Sequence, residues 1–133
     1  MLMPFLMLLQ AASPPLSGVQ IEPGDAMIIR PQDDGTVTII EHHARPEQHA
    51  GPGEVKVELA TRDAGTSLTV EKNDAKLLDY RAIITGPDGR SQSTSVCRVL
   101  PDNKLSLEYW PYRLRNIKLI AFHRTTETDI ICR

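Results

Sequence analysis

The chain has 133 residues, a formal net charge of −2 and 24% charged side chains, so it is one domain in size and lacks the basic face that a nucleic-acid footprint requires. No block of like charge reads as a solvated tail. Ten prolines and eight glycines fall mostly between runs of alternating apolar and polar residues, where turns belong.

The opening run Met1 to Leu9 is apolar and is followed by Ala11-Ala12-Ser13-Pro14-Pro15. It has the core and small-residue exit of a secretory signal, without the Lys or Arg that ordinarily precedes it. Its length is about half of the roughly 18 residues a spanning helix needs, so no transmembrane anchor is expected. The expected division is a signal or unstructured segment over 1–18 and a single β-domain over 19–133. Pro14 to Gly24 reads as an extended, polar lead-in.

Ala26 to Arg30 and Thr36 to His43 are apolar runs joined by Pro31-Gln32-Asp33-Asp34-Gly35, a hairpin signature. Ala44 to Gly53, with two prolines and two glycines, reads as a loop. Glu54 to Arg62 alternates most cleanly, with Val55, Val57 and Leu59 on one face. Leu68 and Val70 follow, then the link Lys72 to Lys76, then Leu78, Tyr80, Ala82 and Ile84; the link suits a hairpin or a crossing between sheets. Gly86-Pro87-Asp88-Gly89 is a turn, and Val96 to Leu100 a further strand. Leu105, Leu107 and Tyr109 alternate with Ser106 and Glu108 until Trp110-Pro111. Asn116 to Arg124 is apolar on both faces, which predicts cover on both sides, and Asp129 to Arg133 reads as an edge strand or tail.

Roughly seven to nine short strands at about 8–12 residue spacing predict an all-β fold, a small antiparallel β-sandwich whose apolar residues two apart turn inward onto a facing sheet. The stretch LTVEKNDAKLLDYRAIITG (68–86) resembles the strand, polar link and Tyr-bearing strand of immunoglobulin-like extracytoplasmic domains. That resemblance implies an immunoglobulin-like sandwich. The family order of B-strand cysteine, C-strand tryptophan and F-strand cysteine is not matched.

Three groups of residues could carry function. Tyr109, Trp110, Tyr112, Arg113 and Arg115 interleave aromatics with guanidinium groups, a composition enriched at binding hot spots; the alternative is that Trp110 caps the core while the arginines lie over it. His42, His43 and His49 offer imidazoles for a periplasmic zinc or copper module, although adjacent residues of a strand point to opposite faces. The signatures G-x-S-x-G and H-E-x-x-H and a Gly-rich phosphate loop are all missing, so an enzyme would need a site assembled from distant strands. The expectation is a non-catalytic, cofactor-free binding or interaction module, periplasmic or secreted, that engages another protein or a cell-envelope component through a loop end or an open sheet edge.

The two cysteines, Cys97 and Cys132, have no C-x-x-C spacing and read as one disulfide, which suits an exported chain. Closing a loop of about 35 residues contributes about 3.5–4 kcal/mol in the chain-entropy model. Mass spectrometry of the oxidised chain is expected to show a mass about 2 Da below that of the reduced chain; equal masses would remove the bridge.

Overall fold

The computed structural model describes residues 15–133, so most of the signal-like segment lies outside the described residues. Nine strands form: β1 (Gly18–Ile21), β2 (Ala26–Pro31), β3 (Val37–Glu41), β4 (Val55–Arg62), β5 (Gly65–Lys72), β6 (Leu77–Thr85), β7 (Ser91–Thr94), β8 (Leu105–Trp110) and β9 (Asn116–Thr125). Among the described residues there is no helix, and hence none long and apolar enough to cross a membrane. A four-stranded sheet runs β1-β9-β6-β7 and a five-stranded sheet runs β3-β2-β4-β5-β8, with every neighbouring pair antiparallel. The protein is a small antiparallel β-sandwich. Its core lies between the sheets, where Ile29, Val55, Val57, Leu59 and Leu68 meet Leu78, Ile117 and Leu119.

The period of two explains most of this layering. Val55, Val57 and Leu59 turn inward while Glu58 stays exposed, and β2 and β3 form the hairpin closed by Asp34, whose carboxylate accepts from the Thr36 N–H and hydroxyl. The Lys72 to Lys76 link proves to be the crossing between sheets, because β5 and β6 belong to different layers. The lead-in is more structured than its composition predicts: β1 pairs with β9, and Leu16 exchanges backbone hydrogen bonds with Val37.

Two segments differ from expectation for local reasons. In β9 one extra residue opposes β6, and the bulge at Ala121 (φ 56°) swings Phe122 into the core to stack on Tyr80 at 5.9 Å between ring centroids. One face of β9 is buried and the other carries exposed Lys118, so it is not covered on both sides. Val96 to Leu100 makes isolated bridges rather than a strand, and Asp129 to Arg133, of the two expected forms, is the tail tethered by the disulfide. Their backbone pairing at Val96 and Arg133 is reinforced by the Cys97–Cys132 disulfide.

Charged side chains fasten the sandwich at two places. Lys72 is fully buried and donates to the Asp74 carboxylate, which also accepts from Arg124 Nε at 3.0 Å. Arg124 reaches across the layers to the carbonyls of Pro31 (3.2 Å) and Gly53 (2.9 Å). Elsewhere, buried Arg98 donates to Asp79, Glu127 and the Asp129 carbonyl, clamping the C-terminal segment beside the disulfide. These hydrogen bonds also hold its guanidinium above its ordinary pKa, against the effect of burial.

Burial pushes the Asp74 carboxyl up, but the hydrogen bonds from Lys72 and Arg124 outweigh it and hold the group below its ordinary value. A depressed carboxyl contributes stability that is fully present above its unfolded pKa near 4 and is lost as pH falls through the lower folded value. Asp74→Asn is therefore expected to cost about 1–3 kcal/mol at neutral pH and to flatten the loss of stability in acid. Urea midpoints measured across the acid range test this, and parallel curves for the two proteins would contradict it.

Candidate functional site

Strand β8 is bounded by two backbone stops. Asp102 and Asn103 take the left-handed conformation (φ 58° and 64°), which their short polar side chains tolerate, and Pro111 has no N–H to continue a ladder. Between these stops the pattern is inverted. Trp110 is buried and its Nε1 donates to Thr94 Oγ1 at 3.0 Å, joining the edge strands of the two sheets. With a period of two, burying Trp110 turns Ser106 and Glu108 inward as well. Ser106 Oγ accepts from the Leu100 N–H at 3.0 Å and Glu108 Oε2 from the Cys97 N–H at 2.8 Å. Leu105, Leu107 and Tyr109 consequently face solvent, with exposures of 60%, 57% and 52%.

The same strand leaves its outer edge open. Leu59 exchanges backbone hydrogen bonds with Gly24 and Asp25 on the β2 side, so it is not bonded to Leu68, its neighbour on β5. Bonded and non-bonded pairs alternate in an antiparallel ladder. Leu68 thus bonds to Glu108, and the residues of β8 that bond to β5 are Ser106, Glu108 and Trp110. Acceptance of the Asn103 N–H by the Lys72 carbonyl follows the same parity. The N–H and C=O groups of Leu105, Leu107 and Tyr109 point off the sheet, and among the described residues no other backbone meets them. Beside this edge Leu105, Leu107, Leu100 and Ile130 line a groove of about 230 Å³.

Two carboxyl and phenol groups behind the edge are perturbed. Burial raises the pKa of Glu108, opposed by the Cys97 N–H. Burial, and then the charge of Glu108, raise that of Tyr80. Both environments belong to the packed side of β8.

The aromatic and arginine stretch is split rather than gathered. Trp110 is core. Tyr109 lies over Gly65, where an added Cβ would collide with the Tyr109 ring and with the Trp110 carbonyl. The buried Thr66 hydroxyl holds the next turn, donating to the Tyr112 carbonyl and accepting from the Leu114 N–H. Exposed Tyr112 sits beside the Gly86 to Arg90 turn, where Arg115 donates to the Pro87 carbonyl at 2.7 Å. Arg113 instead donates to the Asp63 carbonyl.

The histidines are likewise not brought together as a ligand set. His42 and His43 are exposed, with ring centroids 6.5 Å apart. His49 meets Glu71 at 3.2 Å, in a loop fixed on the outer face of the five-stranded sheet by Lys56 Nζ, which donates to the carbonyls of Arg45, Pro46 and Gln48. Among the described residues no three His, Cys, Asp or Glu side chains converge as metal ligands.

Comparison with protein-family models, curated proteins and solved structures returns no match. The open edge of β8 was only partly legible in the sequence: the alternation marks a strand, but Trp110 alone signals that the leucines face away from the core.

Truncating Trp110 to Ala is expected to cost about 3–5 kcal/mol, whereas Leu107→Thr should change stability by no more than about 0.5 kcal/mol. Urea denaturation of both variants reads this contrast. A large loss at Leu107 would place that side chain in the core and refute the inverted orientation.

Proposed function

We propose that this protein is an exported, non-catalytic interaction module that binds an extended segment of another polypeptide by strand addition at β8. One observation carries the reading: an edge strand whose free backbone groups and exposed apolar side chains belong to the same three residues, Leu105, Leu107 and Tyr109. Strand addition draws affinity from main-chain hydrogen bonds and specificity from alternate side chains, and this edge offers both.

The other edges supply the contrast. β1 and β7 are four residues long, and β7 is wholly polar. β3 is bonded by Leu16 at one end and bulged at Ile40, the extra residue between Ile39 and Glu41. Short, polar or bulged edges are the usual protection against unwanted pairing; β8 has none of these devices over its six residues. The bound segment should be extended and carry apolar residues at alternate positions, where they would lie beside the exposed Leu105, Leu107 and Tyr109. The disulfide suits an oxidising compartment and so supports export.

The test is amide exchange on the full oxidised chain at low micromolar concentration, with and without a millimolar lysine-flanked peptide of alternating valine and threonine. The Leu105, Leu107 and Tyr109 amides are expected to slow at least about ten-fold on adding peptide, while Ser106 and Glu108 stay slow throughout. Unchanged exchange at the three odd-numbered positions would overturn the reading.

A further inference from the structure

Resting on strand addition at β8, we infer that the strand it accepts is β8 of a second copy of this chain, paired antiparallel about a two-fold axis that runs normal to the sheet, midway between the two Leu107 residues. The backbone parity leads there. The free N–H and C=O groups sit on Leu105, Leu107 and Tyr109, three positions symmetric about the middle one. A two-fold between the two Leu107 residues sets Leu107 opposite Leu107 of the second copy and Leu105 opposite its Tyr109, and every free group of the three finds a partner.

Neighbouring registers lose bonds. Sliding by one pair toward the start of the strand sets Tyr109 against Asn103, whose left-handed backbone is not extended. Sliding the other way sets Leu105 against Pro111, which has no N–H to give. The two stops that bound β8 thus select one alignment.

The side chains agree with that alignment. On the outer face it makes one leucine pair and two leucine–tyrosine pairs, and aromatic–aliphatic neighbours of this kind stabilise antiparallel strands. On the inner face Ser106 lies opposite Glu108 of the second copy, and Lys104 lies diagonal to the same carboxylate, so the one charge of each strand has an opposite charge nearby. An axis normal to the sheet keeps both apolar stripes on the same surface, and the two five-stranded sheets become one continuous sheet.

The test uses sedimentation equilibrium on the full oxidised chain. Native protein is expected to show a concentration-dependent monomer–dimer equilibrium. Leu107→Lys and Leu107→Glu each bring two like charges together on the axis, and each alone should weaken dimerisation at least about ten-fold. An equimolar mixture of the two should recover it, because only pairing of position 107 with itself makes the charges complementary. Exposed Leu107 tolerates both changes, and unchanged near-ultraviolet circular dichroism at Trp110 checks that the fold is kept. A native chain that stays monomeric, a dimer unaffected by both variants, or a mixture no tighter than its components would each overturn the inference. If the native chain is monomeric while the valine–threonine peptide still protects the Leu105, Leu107 and Tyr109 amides, strand addition stands and only the second copy falls; if neither occurs, both fall.

Discussion

The phase of β8 is set by one large side chain. Trp110 fills the open side of the sandwich between the last strands of the two sheets and finds its hydrogen-bond partner in Thr94. An indole is worth more buried than either leucine, and a strand cannot bury both of its parities against one core. Leu105 and Leu107 are therefore left in solvent, while Ser106 and Glu108 come inside and are compensated by the N–H groups of Leu100 and Cys97. That exchange leaves β8 with exposed leucines beside its unpaired backbone groups.

The segment that receives those bonds has little regular structure of its own. Val96 to Leu100 forms only single bridges, and its position is held by side chains: the inward residues of β8, the Arg98 clamp and the disulfide. Ile130, on the strand-free stretch tethered by Cys132, lines the groove beside the exposed leucines. The bridge is thus more than a constraint on the unfolded chain, because it also fixes one wall of the edge. At a separate place the cation–anion–cation set of Lys72, Asp74 and Arg124 pins β5, β9 and the end of β2, so the crossing from one sheet to the other is fastened where it begins.

Edges are where a sandwich chooses its partners. The hydrogen-bonding capacity of a terminal strand is the same whatever its sequence, and selection comes from what obstructs it. In this protein a bulge and a bridge obstruct β3, brevity limits β1 and β7, and β8 is stopped at its two ends by Asn103 and Pro111. End stops do not prevent pairing; they fix its register.

The sequence by itself determined the class of fold, because Val55-Val57-Leu59 and Leu78-Tyr80-Ala82-Ile84 repeat with the period of a pleated strand and need no distant information to do so. It also determined the turns, through Asp34, Gly35 and the Gly86 to Gly89 stretch, and it offered a single possible cysteine pair. The scattering of the aromatic and arginine cluster, the separation of the three histidines and the strand hidden in the lead-in were decided only by tertiary structure. So was the outward turn of Leu105 and Leu107: alternation tells which residues share a face, but which face meets the core depends on what the opposite layer has room for, and that room is made by strands far away in the chain.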